Sequence, residues 1–539
     1  MNDLELPLGK RSRLYRAFEI IPAVLSYGMI LLLVVLSIVS PLAASVYLLL
    51  LIITMVTKAV GIAADSIIGH RRLTYAQTID WTERLGQLED PSAAYARISH
   101  REFRHFADRV HQENLRLVSD QPENFPRPSE LYNAIIIAAY NEPLEVIEPT
   151  LKVLTESSYD TKRMIVLFAY EARGGVGIKE TAKVLAQRYG DAFKAFIPVE
   201  HPDGLSEEVV GKGANITYAG RHLEEWLALH GIAQDKVIVT TLDCDNKPHK
   251  SYFDYLTYEY IVREDRRHLS YQPIALYFSN IWDAPAPMRL IAIGNSFWTI
   301  VSSTRPHLLR NFAAHSQPMD ALADMGYWSK RSIVEDGHQY WRSYFYFAGR
   351  YSVIPIYVPV YQDAVLAASF KATLIAQFKQ LRRWGYGVSD VPYVATRIFT
   401  KRRTVPFFAG LARFIRLIDS HVTLATIAIL VAVGGWVPLL ISPEAARDIA
   451  AHNLPEVLSY LQRAAMVGIF ITVFLSLRLL PPRPTRYRRT RTLGMVLQWF
   501  LMPITAIAYN AAASLTAQTH LALGRYLDKF DVTEKTGNK

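Results

Sequence analysis

The chain has 539 residues, half of them hydrophobic, a formal net charge of +10 and a single cysteine, Cys244. That length holds a large catalytic domain together with membrane helices, and one cysteine excludes an intrachain disulfide and the cysteine-based metal patterns. A basic balance beside apolar spans points to cytoplasmic flanks facing anionic lipid and to phosphorylated substrates, not to nucleic acid.

Lys10, Arg11, Arg13 and Arg16 precede an apolar run over residues 20–39, and a second run, 42–63, follows Ser40 and Pro41. Each is near the ~20 residues that cross a bilayer and longer than the core of a signal peptide. Residues 1–68 therefore read as a cytosolic segment and a transmembrane hairpin. The basic head and Arg71-Arg72 predict that both ends are cytoplasmic. Residues 69–130 are polar and helical in pattern and close on Pro122, Pro126 and Pro128, a helical linker.

Over residues 131–403 apolar strands alternate with helical stretches. Strands are predicted at 134–138, 164–168, 193–199, 237–242, 274–278 and 353–358. Such alternation argues for an α/β domain with a mainly parallel sheet, whose ligands sit beyond the carboxyl ends of its strands. After Lys401 the chain turns apolar again. Residues 406–417 are amphipathic and predict an interfacial helix, and residues 422–441 and 457–480 predict spans. Arg483, Arg486, Arg488, Arg489 and Arg491 form a loop that reads as cytoplasmic. The stretch 493–523, interrupted by Pro503, Asn510 and Gln518, is expected to enter and leave on one side. Residues 404–523 thus form a second membrane region, and 524–539 a cytosolic tail.

Five polar groups punctuate the predicted strand ends and helix starts. Tyr140-Asn141-Glu142-Pro143 follows the first strand and Tyr170-Glu171-Ala172-Arg173 the second; Gly211-Lys212-Gly213 opens a helix. Asp243-Cys244-Asp245 closes the run 237–242. Two carboxylates at such a strand end can hold Mg²⁺ or Mn²⁺ against a diphosphate. Glu335-Asp336 is followed by Gln380-Leu381-Arg382-Arg383-Trp384, in which Gln380, Arg383 and Trp384 share a helix face. Taken singly, each has an ordinary structural reading: strand-end polar residues, a glycine turn, acids capping a helix, or a basic interfacial helix with a membrane-facing tryptophan.

In this order, the five groups resemble the membrane-embedded family 2 glycosyltransferases of the cellulose and hyaluronan synthase type, over residues 132–384. The resemblance implies a cytosolic GT-A-like, Rossmann-related domain inserted between N- and C-terminal transmembrane helices. It implies that Tyr140, Glu142 and Glu171 meet the nucleoside, with Glu171 standing where the family usually carries aspartate. It places Lys212 at the diphosphate, beside a helix N-terminus. Asp245 would ligate the cation, and Asp243 the ribose or the metal shell. Asp336 would be the single general base that inversion requires, Trp384 with Gln380 the acceptor platform, and Arg383 a phosphate donor fork. Phe530-Asp531-Val532-Thr533-Glu534-Lys535 resembles the gating loop of cellulose synthases, which implies that Thr533 and Lys535 close over the nucleotide. No regulatory domain follows that tail, so activation by a cyclic dinucleotide is not expected.

The resulting expectation is an inverting, metal-dependent hexosyltransferase of the bacterial inner membrane, with its catalytic domain cytoplasmic. It would add sugar from a nucleotide sugar, expected to be a UDP sugar, to a growing polysaccharide, and couple synthesis to export. Its partners would be the donor, a polysaccharide or lipid acceptor, and membrane lipids; no nucleic acid is expected. The alternative is a non-processive enzyme with a lipid acceptor. A transporter reading is disfavoured by the few charges in the spans. Hydrolase and ATPase readings lack their nucleophile-elbow and phosphate-loop motifs. Among fifteen histidines, His338 alone stands near the expected base.

Overall fold

A computed structural model describes residues 4–401, 403–442 and 449–527. Ser12 and Ser40 start the first two helices, Arg13–Val39 and Pro41–Ala76. Their hydroxyl oxygens accept from the Tyr15 and Ala43 backbone N–H groups, and Pro41 stands where no N–H is needed. Leu31, Val35, Ile38, Leu50 and Ile53 leave their side chains on the outside of this pair, as lipid-facing helices do. The second helix continues well past the apolar run, to Ala76.

Among the described residues four helices are long and apolar enough to cross a membrane: Arg13–Val39, Pro41–Ala76, Phe407–Ile441 and Thr490–Ala522. The amphipathic stretch 406–417 is not a separate interfacial helix. It opens the helix Phe407–Val433, which passes through the turn Gly434–Trp436 into Val437–Ile441, because no proline or glycine separates it from the span. All but the last residue of the stretch 457–480 lies in the helix Ile449–Leu479, which packs on Pro41–Ala76. The last apolar segment is broken by a 3₁₀ turn at Gln498–Leu501 and a π-helical turn at Ala506–Ala511, close to Pro503. At its start Arg491 donates to the Trp282 carbonyl at 2.8 Å. At its end the Leu521 and Ala522 carbonyls accept from Arg16, at 3.1 and 2.7 Å.

Between these helices lies an eight-stranded sheet: β1 (Tyr132–Ala139), β2 (Met164–Glu171), β3 (Ala195–His201), β4 (Val237–Asp243), β5 (Lys247–Pro248), β6 (Leu269–Leu276), β7 (Ser316–Pro318) and β8 (Ser352–Tyr361). Their order is β3-β2-β1-β4-β7-β6-β8-β5. All run parallel except β5 and β7, so the α/β expectation of a mainly parallel sheet holds. The two antiparallel strands were not expected; at two and three residues, each ending in proline, they carry no readable period. The third strand starts at Ala195, leaving Phe193 in the turn before it. The strand expected at 274–278 runs instead from Leu269 to Leu276, with a bulge at Pro273.

Both faces of the sheet are covered, which is why β1 and β2 are apolar without alternation. Ile135 and Ile137 point to one side, where Trp81, Leu85 and Leu115 pack; Ala134 and Ile136 point to the other, against Ile216, Leu223 and Trp341. Residues 81–120 thus lie on the sheet, with the Trp81 ring stacked 3.6 Å from Tyr255. Parallel register sets Ala138 beside Asp243 and Ala139 beside Tyr170. The polar groups that end β1, β2 and β4 therefore stand in one row along one edge.

Candidate active site

Lys212 is the first residue of the helix Lys212–Leu229. Asn215, one turn on, donates through Nδ2 to the Ala169 carbonyl of β2 at 2.9 Å, fastening the helix start to the strand ends. Gly213 lets it come closer still: a Cβ there would lie 2.3 Å from the Ser329 carbonyl oxygen, a distance no side chain accommodates. The closeness carries Lys212 into a buried position facing three carboxylates. Its Nζ lies 2.9 Å from Asp243 Oδ1, 3.3 Å from Asp336 Oδ2 and 3.6 Å from Glu335 Oε1.

Electrostatics follow from that geometry. Burial by itself would lower the Lys212 pKa, but Asp243, Asp336 and Glu335 outweigh it and hold the ammonium above its usual range. Glu335, buried and next to Asp336, is pushed up to about 8 by desolvation first and by the neighbouring carboxylate second. Arg383, from the helix Phe370–Gly385, is lowered by burial against the pull of Glu335, Asp243 and Asp336. Lys212, Asp243, Asp336 and Arg383, scattered over 171 residues of chain, thus meet in one cluster.

Glu335 and Asp336 occupy the first turn of the helix Glu335–Tyr346, whose N-cap, Val334, supplies no capping side chain. The charge of Asp336 suits the positive end of the helix. Behind Asp336 stands His315, which sequence reasoning missed. Its Nδ1 lies 2.9 Å from the Phe312 carbonyl and 3.5 Å from Asp336 Oδ1, while Nε2 accepts from Trp328 Nε1 at 3.1 Å. A carbonyl can only accept, so this network assigns the proton to Nδ1 and leaves the ring neutral. Burial, its largest influence, keeps the His315 pKa below the ordinary value. Ala314, just before it, has φ of 67°, a left-handed conformation rare for a residue with a Cβ.

On the other side of the cluster, Asp245 is buried, and its neighbour's carbonyl, Cys244 O, accepts from Thr150 Oγ1 at 2.7 Å. Tyr277, immediately after β6, was also missed. Burial first, and then the charges of Asp243 and Asp245, raise its pKa, so its hydroxyl stays protonated as a donor. Among the described residues no group of three or more His, Cys, Asp and Glu side chains forms a metal cage. Two strand-end carboxylates nevertheless suit a hard cation that completes its shell from diphosphate oxygens and water. Asp243, Asp245 and Asp336 bring acidic charge to this cluster beside Lys212 and Arg383, and a bound cation would add to the positive side.

At the ends of β1 and β2 the Tyr140 backbone N–H donates to Glu142 Oε2 at 2.7 Å. The guanidinium of Arg173 lies 4.0 Å above the Tyr140 ring and pairs with the buried Glu171. Arg173 was quoted in the sequence pattern but given no part; its sign, opposite to Glu171, was the available signal. In the helix Phe370–Gly385, Gln380 accepts from Gln377 at 3.1 Å, and the Trp384 ring lies 6.0 Å from Tyr277. Gly385 permits a close crossing with the last apolar helix, near Ser514 and Ala517. His338 turns away from the cluster: its Nδ1 meets Asp390 Oδ1 at 2.6 Å. Thr533 and Lys535 lie outside the described residues.

No family model matches the chain, and a search of curated proteins finds no match. Among solved structures it is similar to the mannosyltransferase PcManGT from Pyrobaculum calidifontis in complex with GDP-Man and Mn²⁺, at 15% identity and a TM-score of 0.36. That likeness covers 83% of this chain and 98% of that one. It is similar to S. aureus TarS 1-349 in complex with UDP-GlcNAc at 11% identity and a TM-score of 0.33, over 74% of this chain and 93% of that one. A third likeness, to glucosyl-3-phosphoglycerate synthase from Mycobacterium tuberculosis with Mn²⁺, UDP and phosphoglyceric acid, has 16% identity and a TM-score of 0.27. It covers 46% of this chain and 78% of that one. At such identities and scores these likenesses bear on neither substrate nor chemistry.

Proposed function

We propose that the protein is an inverting glycosyltransferase that moves a sugar from a nucleotide sugar, expected to be a UDP sugar, to a growing polysaccharide at the cytoplasmic membrane face. The observation that supports this most is the single carboxylate of Asp336, partly exposed, 3.3 Å from the same ammonium that touches the strand-end acid Asp243. A proton acceptor beside a buried ammonium that can meet a diphosphate is what a one-step displacement at an anomeric carbon needs.

In this reading Tyr140, Glu142, Glu171 and Arg173 line the nucleoside, and Lys212 with Arg383 meets the diphosphate. Asp336 takes the proton of the acceptor hydroxyl as that oxygen bonds to the anomeric carbon. The bond from that carbon to the diphosphate oxygen breaks, and the nucleoside diphosphate leaves with the electron pair. A divalent cation held by Asp245 and Asp243, when bound, supplies Lewis-acid stabilisation of that leaving charge. Tyr277 keeps its proton beside those carboxylates and can donate to a substrate oxygen. Trp384 and Gln380 offer an aromatic face and an amide to the acceptor sugar.

A lipid acceptor is the second reading, favoured by one observation: the helix that carries Trp384 crosses the last apolar helix at Gly385. Purified protein incubated with a panel of nucleotide sugars, followed by product mass analysis, decides. A ladder of products supports polymer synthesis, one sugar on lipid supports the second reading, and donor binding without turnover refutes both.

A further inference from the structure

The residues that precede the first membrane helix are not a loose end. Residues 4–8 lie on the α/β domain, with Leu6 buried in the core that holds Trp341, Tyr344 and Trp328. The Leu4 carbonyl accepts from Tyr393 Oη at 3.0 Å, and the Leu6 carbonyl from Arg331 at 3.2 Å. Between them, Glu5 sends one carboxylate oxygen to Arg342 Nη1 and the other to Ser329 Oγ, the latter at 2.6 Å.

Both partners belong to the machinery around Asp336. Arg342 stands six residues beyond it on the helix Glu335–Tyr346, its side chain 2% exposed. Its Nη2 donates to the Met325 and Tyr327 carbonyls at 2.9 and 3.2 Å, so that Glu5 is the carboxylate paired with a buried charge. Ser329 is the residue whose carbonyl oxygen lies against Gly213, next to Lys212. One carboxylate thus ties the helix of the proposed base to the loop on which the Lys212 helix rests. Ser12, a few residues on, caps the first membrane helix.

We propose that Glu5 is a positioning residue for the proposed transfer reaction: residues 4–8 act as a strap that holds the Asp336 helix in register with Lys212. The inference rests on the glycosyltransferase reading for its kinetic test but not for its structural one. A truncated protein lacking residues 1–8 and the variant Glu5→Gln are compared with the full chain. The expected result is a kcat lower by about a hundredfold, the cost of a base displaced by about 1 Å. The donor dissociation constant should stay within about twofold of the full chain's, because the Glu5 carboxylate acts through Arg342 and Ser329, neither of them a proposed donor residue.

A peptide of residues 1–10 added to the truncated protein should restore turnover, and Glu5→Asp should recover part of it. Where Glu5→Gln does not fold because Arg342 is left unpaired, Ser329→Ala removes one anchor without stranding a charge, and the same split is expected. Independently of turnover, amide hydrogen exchange over residues 335–346 should quicken on truncation and slow again with peptide. Unchanged exchange, or a kcat unaffected by truncation, overturns the strap. A full chain that turns over no nucleotide sugar while exchange responds as expected counts against the transferase reading alone.

Discussion

Lys212 and Asp336 are 124 residues apart in sequence, yet the ammonium nitrogen of one lies 3.3 Å from the carboxylate of the other. The contact ties the start of one helix to the first turn of another. Both are held by glycine-permitted packing at Ser329 and by the strand ends of β2 and β4. Everything proposed about the chemistry depends on this meeting of one cation with three acids from two separate elements, β4 and the helix Glu335–Tyr346.

Replacing Asp336 with Asn keeps the shape and removes the proton acceptor. Transfer should fall by about 10²–10⁴-fold, the range a general base contributes. Donor affinity, measured by titration of the purified variant, should change little. Wild-type turnover in Asp336→Asn would reassign the base.

Removing divalent metal with a chelator should stop turnover, and adding Mn²⁺ or Mg²⁺ back should restore it. In Asp245→Asn the metal concentration for half-maximal rate should rise by about tenfold or more. Turnover indifferent to chelation would take the cation role away from Asp245 and Asp243.

Glu335 sets a pH dependence of stability with a definite sign. Its folded-state pKa, about 8, lies above the ordinary 4.5, so between these values the native state binds more protons than the unfolded chain. Its contribution is complete below about 4.5 and is lost as pH rises toward 8. Thermal unfolding across that window should show stability declining with pH, and Glu335→Gln should flatten the decline. A wild-type protein that gains stability over the window at the expense of this slope, with no change in the variant, would refute the assignment.

Gly213→Ala places a methyl 2.3 Å from a backbone carbonyl. Overpacking of this kind costs about 1–3 kcal/mol. The helix start should shift outward, taking Lys212 from its acids. Lowered unfolding temperature together with weakened donor binding is expected; a variant equal to wild type in both would show that the approach is not needed.

Much of this was local and therefore legible in the chain itself. The long apolar runs and their serine and proline starts announced the first two helices. Uninterrupted apolar stretches marked β1, β2 and β4, and the acids at their ends are where a parallel sheet presents ligands. What failed was also local in cause: β5 and β7 are too short to show a period, and nothing between residues 417 and 422 could stop an expected interfacial helix from running on into the span.

Other features existed only after folding. His315 looked like any of fifteen histidines until β7 set it behind Asp336, and Arg173 acquired a role only once its guanidinium lay over Tyr140. Glu5 sat in an ordinary terminal stretch until Arg342, 337 residues away, required a partner. Sequence alone determined which segments are apolar, which are punctuated and where acids end strands, because those depend on neighbours along the chain. Which charges meet was decided by tertiary packing, since a buried ion must find its counter-charge through space, wherever the chain happens to bring it.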